Sequence, residues 1–161
     1  MREIELTQGK IALVDDEDFD DLKRFKWQAN KAGNAFYATR TVRFGACNKF
    51  HLQMHKAILE APDGMDIDHI NHNGLDNRKE NLRVCSHAQN CQNQKLHRNS
   101  MSGHKGVTWN KRDENWRARI MINGIAKHLG IHVSKEEAAQ AYNRAAIKLH
   151  GEFALTNVIR R

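Results

Sequence analysis

Hydrolysis of a phosphodiester at neutral pH needs a group that takes a proton from water, a cation that neutralises charge on the phosphate and the leaving oxygen, and a scaffold that aligns them. The middle of the chain supplies candidates for all three. Asp68 and His69 are adjacent in the strand-like run Ile67-Asp68-His69-Ile70. Their side chains therefore leave on opposite faces or splay at its end, so that one can hold a metal while the other addresses a water. An imidazole with an ordinary pKa near ~6.5 is largely neutral at pH 7 and can accept that proton. Asn90 offers a neutral oxygen, which together with a carboxylate, phosphate oxygens and water suits Mg2+ or Mn2+.

The elements that must hold these residues follow from local pattern. Asn71-His72-Asn73-Gly74-Leu75-Asp76-Asn77 is dense in turn formers, and Asn81-Leu82-Arg83-Val84-Cys85 reads as a second strand. Ser86 with Gln89 three residues on fits a capping box, which predicts a helix over about 87–95. The order is strand, loop, strand, helix. Upstream, Ile4-Glu5-Leu6 and Lys10 to Val14 alternate as two short strands about Gly9, and Phe19, Leu22, Phe25 and Trp27 recur at helical spacing behind Asp15–Asp18. A strand through 35–42 and a short helix at 55–59, closed by Pro62 and Gly64, complete this part. Asn99 to Gly103 is small and polar, as in a linker. Beyond it, strands are predicted over 106–110, 116–122 and 126–130, with turns at Asp113-Glu114-Asn115 and Asn123-Gly124. Ser134 and Glu137 form another capping box, and the helix Lys135 to His150 puts Ala138, Tyr142, Ala145 and Leu149 on one face before Gly151 stops it. The fold class is α+β.

Charge separates the parts. Residues 99–161 carry eleven Lys and Arg against five Asp and Glu, whereas residues 51–98 are balanced at six and six, so most of the net charge of +7 belongs to the last third. A concentrated positive field attracts a polyanion such as nucleic acid. Six of the ten histidines lie between His51 and His97, in the balanced segment, which suits a chemical site better than a docking face. Cys47, Cys85 and Cys91 are an odd count at irregular spacing, which argues against a disulfide framework. Zinc at Cys85, His87, Cys91 and His97 lacks the usual Cys-x-x-Cys pair, so packed or surface thiols are the better reading. His55 reads as a packed histidine. No apolar run reaches the ~18 residues of a membrane span, and the expectation is a cytoplasmic protein.

An Asp-His pair alone is more often structural than catalytic, but the longer run overturns that prior. Asp68-His69-Ile70-Asn71-His72-Asn73-Gly74-Leu75-Asp76-Asn77-Arg78-Lys79-Glu80-Asn81-Leu82-Arg83, with Asn90 beyond, resembles the HNH homing endonucleases of phages and introns in their His-Asn-Asn form with a ββα-metal active site. The resemblance implies His69 as general base, Asp68 and Asn90 as ligands of Mg2+ or Mn2+, Asn81 as the residue that pins the loop between the strands, and Asn77 as a candidate for positioning His69. His72 stands where that family often has glycine.

In Trp116-Arg117-Ala118-Arg119-Ile120-Met121-Ile122, the period of two sends Trp116, Ala118, Ile120 and Ile122 to one face and Arg117 and Arg119 to the other. An arginine-bearing open sheet can lie in a DNA major groove. Lys105, Lys111, Arg112 and Lys127 lie on the same strands or their turns. Residues Gly103 to Asn157 are similar to the plant ethylene-response-factor type DNA-binding domain, through Gly106-Val107, Trp116-Arg117-Ala118, His128-Leu129-Gly130, the run Glu137 to Ala146, and Leu155-Thr156-Asn157. His128 replaces the usual tryptophan. The expected organisation is thus a small N-terminal α+β scaffold over 1–50, a ββα-metal nuclease module over 51–98, and a three-stranded antiparallel sheet plus helix over 99–161. Together they imply a metal-dependent endonuclease acting on double-stranded DNA. A catalytically inactive DNA-binding regulator is the alternative. An RNA-binding protein is a further one, weighed against by a lack of exposed aromatic pairs for stacking.

Overall fold

The computed structural model describes residues 1–45, 48–96 and 99–159; Cys47 and His97, considered above, lie outside them. Two compact units emerge, Met1–Ser86 and His87–Arg161, and the division falls inside the stretch 51–98. Both contain helices and antiparallel strands, which makes the class α+β.

In the first unit, β1 (Arg2–Glu5) and β2 (Ile11–Val14) pair antiparallel about a turn in which Gln8 and Gly9 both take a φ of 64°. Three acidic residues, Asp16, Glu17 and Asp18, open α1 (Asp16–Leu22), where they complement the positive end of the helix dipole. The helical spacing predicts continuation through Trp27, but α1 ends at Leu22. Trp27 instead bridges to Leu6, 3 % exposed, and its indole N–H donates to the Leu22 carbonyl at 2.9 Å. Burying that large ring in the core outweighs another turn of helix. The chain then builds a three-stranded sheet from β3 (Gln28–Ala32), β4 (Ala35–Phe44) and β5 (Asn48–Gln53), in the order β3-β4-β5, followed by α2 (Met54–Ile58). Ile4, Ala12, Val14, Leu22, Trp27, Ala29, Ala38 and Met54 form the core, and Leu75 packs on it from the loop that follows β6 (Met65–His69). Residues from both sides of position 50 therefore share one hydrophobic cluster. The antiparallel partner of β6 is β7 (Leu82–Ser86).

The second unit begins with α3 (His87–Asn93) and continues with β8 (Val107–Asn110), β9 (Asn115–Ile122), β10 (Ile125–His132) and α4 (Lys135–His150), the sheet running β10-β9-β8. Asn123 and Gly124, at φ 49° and 80°, make the two-residue hairpin between β9 and β10. The Ser134 hydroxyl accepts from the Glu137 N–H at 3.1 Å, so the capping box forms. The buried stripe of α4 differs from the expected face. Ala138, Tyr142, Ala146 and His150, spaced by four, point inward, whereas Leu149 is 39 % exposed. His150 is tolerated inside because its Nε2 donates to the Met121 carbonyl at 3.0 Å.

Candidate active site

The register of the β6–β7 pair decides what surrounds the two reactive residues. Asp68 lies directly opposite Arg83 and His69 opposite Leu82. Opposed residues share a face. The Arg83 guanidinium accordingly donates through Nε and Nη2 to one oxygen of Asp68, Oδ2, at 3.0 and 2.8 Å. Both residues of the Asp68-His69 pair are buried.

Alternation sends His69 to the other face, where three rings meet. Its centroid is 4.9 Å from that of His55 on α2 and 5.8 Å from that of Tyr37 on β4, both edge to face. Asn77 Oδ1 lies 3.3 Å from His69 Nε2. A carbonyl oxygen only accepts, so this contact selects the tautomer with the proton on Nε2 and leaves the Nδ1 lone pair as the basic site. Burial holds the pKa of His69 below the usual 6.5, against the hydrogen bond to Asn77 and the charges of Asp68 and Asp76. His55 is driven lower, to about 3, first by burial and then by the neighbouring His69. Both imidazoles are therefore neutral at pH 7, the state required of a base.

The loop 70–81 that carries Asn77 is held by its own side chains. Asn81 Oδ1 accepts from the Asn71 N–H at 2.9 Å, and its Nδ2 donates to the Asp76 carbonyl at 2.7 Å. The Asp76 carboxylate receives Arg78 through Nε and Nη2, each at 2.8 Å, and Asn71 Nδ2 at 2.8 Å. Arg78 also contacts Glu80. The loop is fastened to the N-terminal hairpin as well: Leu13 N–H donates to the Leu75 carbonyl, and Asn77 N–H to the Leu13 carbonyl, both at 2.8 Å. His72 takes a φ of 60°, the left-handed region that glycine adopts most easily. Gly74 is required for another reason: a Cβ there would stand 2.5 Å from the Phe36 carbonyl oxygen and 2.6 Å from the Tyr37 ring.

Asp68 contributes a hard oxygen donor, with Oδ2 oriented by Arg83. Among the described residues no three His, Cys, Asp or Glu side chains group as a metal site. Cys85 is buried, and burial pushes its thiol up to about 11. The Asp68 oxygen suits a divalent ion that takes most of its shell from substrate phosphate and water. Asn90 lies on α3, in the second unit.

In the second unit the sheet register sorts the basic residues. Arg117 and Arg119 stand exposed on β9, opposite Ile131 and His128 of β10, and Arg117 Nη2 donates to Asp113 at 2.6 Å. Lys111 and Arg112 occupy the exposed turn between β8 and β9. Two expected members lie elsewhere. Lys127 pairs with Ile120, whose side chain packs on α4, so it shares the opposite face. Lys105 turns its ammonium to the carbonyls of Gln92 and Gln94, at 2.5 and 2.7 Å, and burial lowers its pKa to about 8. Asn157 closes the unit by bonding the backbone of Lys105 and the side chain of Asn143.

The sequence reading missed Arg83 and Tyr37 as neighbours of the site. Arg83 is recognisable only from strand register, and Tyr37 only from packing. The ground given against RNA also fails: Phe44 and Phe50, 56 % and 46 % exposed, form an aromatic pair with centroids 6.0 Å apart.

Among known families, the one described as HNH endonuclease matches residues 60–92, which span β6, the loop, β7 and most of α3. The chain is 31 % identical over 154 residues to an uncharacterised HNH endonuclease of Acanthamoeba polyphaga mimivirus, covering 94 % of this chain and 77 % of that protein. It is 34 % identical over 105 residues to Protein 3.8 of Escherichia phage T7, covering 65 % of this chain and 86 % of that one. No solved structure matches.

Proposed function

Because the chain belongs to the HNH endonuclease family and is a nuclease, we propose that it hydrolyses phosphodiester bonds of double-stranded DNA with His69 as general base and one Mg2+ or Mn2+ ion. The observation that carries this reading is the buried His69 ring, whose Nε2 is engaged by Asn77 Oδ1 and whose Nδ1 is left to receive a proton.

In the reaction, the oxygen of a water forms a bond to phosphorus while its proton passes to His69 Nδ1. One P–O ester bond breaks, and solvent protonates the departing oxygen. Asn77 keeps the Nε2 proton in place, so the incoming proton has one nitrogen to go to. Asn81, Asp76 and Arg78 hold the loop from which Asn77 projects. Asp68 would hold the ion, with Asn90 as the second ligand that the motif implies. When bound, the ion supplies positive charge to the scissile phosphate and the leaving oxygen. Arg83 fixes which way the Asp68 carboxylate faces.

We assign substrate binding to the C-terminal sheet, read as an ethylene-response-factor type domain. Arg117 and Arg119 form its centre, and Lys111 and Arg112 flank it. We leave out Lys105 and Lys127 because of where they point. The homing character rests on the sequence resemblance alone. No helix of the described residues is long and apolar enough to cross a membrane.

The test is cleavage of supercoiled plasmid by His69→Ala. Positioned general bases contribute ~10²–10⁴-fold, so the variant should lose most of its Mg2+-dependent nicking while DNA affinity stays near wild type. Wild-type cleavage by His69→Ala would remove the base assignment. Wild-type protein that binds duplex yet never nicks it with any divalent ion would favour the inactive regulator.

A further inference from the structure

The unexplained group beside the site is His55. It is 4 % exposed on the short helix α2, and its Nδ1 is buried with no hydrogen-bond partner. A buried polar atom left unpaired costs stability, and an apolar side chain would fill the same space without that cost. The fold alone therefore gives no reason for an imidazole here.

Its surroundings give a reason for a flat ring. The His55 ring meets the His69 ring at 4.9 Å and 88°, edge to face, the favoured geometry for paired rings. Tyr37 closes the third side, 5.8 Å from His69 and 6.2 Å from His55. Tyr37 is itself clamped under Gly74, where even a methyl group has no room. Asn77 hydrogen-bonds one nitrogen of the His69 ring and leaves the ring free to pivot about that contact. Fixing a plane takes a second restraint, and the His55 edge is the closer of the two rings that supply it.

We propose that His55 is a positioning residue of the nuclease site, holding the His69 ring in the plane that aims Nδ1 at the attacking water. The role is steric: a flat ring in contact with His69 satisfies it, and a flexible or branched aliphatic chain does not. It rests on His69 being the base. The strongly lowered pKa of His55 agrees, since a neutral ring can pack tightly there without a counter-charge.

The experiment compares His55→Leu and His55→Phe in single-turnover and steady-state nicking of supercoiled plasmid with Mg2+. Misplacing a reacting group by about 1 Å can cost ~10²-fold, so His55→Leu should lower kcat by roughly 10-fold or more with KM and duplex affinity within about 2-fold. His55→Phe restores a ring and should recover to within roughly 3-fold of wild type. In a His69→Ala background, His55→Leu should change the residual rate by less than about 2-fold, because its effect passes through a ring that is no longer there. If His55→Leu does not fold, the similarly sized and flexible His55→Met takes its place with the same expectation. Wild-type kcat in His55→Leu, a His55→Phe as slow as His55→Leu, or an undiminished loss in the His69→Ala background would each overturn the proposal. Failure of the base assignment looks different, because it shows as wild-type cleavage by His69→Ala itself.

Discussion

Mild acid should weaken the first unit through His55, and the size of the effect follows from burial. The ordinary pKa of histidine, 6.5, describes the unfolded chain, whereas the folded state holds His55 at about 3. The charged form is thus disfavoured by folding, so the unfolded chain binds a proton that the native one refuses. Stability is complete above pH 6.5 and declines as pH falls from there toward 3. At pH 5 the imbalance corresponds to about 2 kcal/mol, since the unfolded histidine is then ~1.5 units below its pKa and each unit is worth ~1.4 kcal/mol. His69 acts in the same direction, because burial lowers it too. Asp76 acts in the same direction too, but its carboxyl is held below 3.8 in the folded state, so it gives up its stabilisation only at lower pH. Urea unfolding at pH 8 and pH 5, followed on the ε-methyl resonance of the fully buried Met54, reports on this unit alone. Wild type should lose about 2 kcal/mol more than His55→Phe between the two pH values. Equal losses in the two proteins would refute the claim that His55 is buried neutral.

Four further outcomes are expected. Asp68→Asn, which still presents an oxygen to Arg83, should remove metal-dependent cleavage, and Asn90→Ala should raise the Mg2+ concentration needed; full activity in excess chelator would sink the magnesium assignment. His72→Gly should be more stable than His72→Val by about 1–2 kcal/mol in urea titrations, since both lack the imidazole and only glycine accepts a φ of 60° freely. Replacing Arg117 and Arg119 together with alanine should flatten the log–log salt dependence of duplex binding by roughly 0.9 for each phosphate the variant no longer neutralises. Unchanged binding at every salt concentration would show that this sheet face is only solvated.

Local chemistry made part of this structure readable in advance. Asn123-Gly124 demanded a hairpin, Ser134 and Glu137 a helix start, and Gly151 its end, because each of those signals acts over a few residues. The alternation at Asp68-His69 likewise put the two on different faces. What could not be read depends on pairing at a distance. The strand β3, Gln-Ala-Asn-Lys-Ala, has little intrinsic strand preference and forms because Ala29 pairs with Ala38 of β4 in the core. The Asp68–Arg83 contact requires knowing that these two positions face each other across fifteen residues of chain. The α4 face was misjudged because a spacing of 138, 142, 145 and 149 and one of 138, 142, 146 and 150 are both helical, and only the partner carbonyl of Met121 makes a buried His150 acceptable.

The backbone clasp between Leu13 and the loop residues Leu75 and Asn77 has a consequence for how the nuclease comes into being. Those contacts join positions more than sixty residues apart, as does the Lys79 N–H bond to Asp15 at 2.7 Å. Contacts so distant in sequence form late, since the loop they close must be ordered first. On the ribosome, the hairpin that receives the loop emerges well before the loop itself. A segment containing the whole motif but lacking β2 would therefore carry every reactive group and the loop's own bonds, but not the backbone clasp that fastens the loop. Grafting residues 51–98 onto another protein should yield an inert peptide, and shortening the N-terminal hairpin should silence the enzyme without touching one reactive residue.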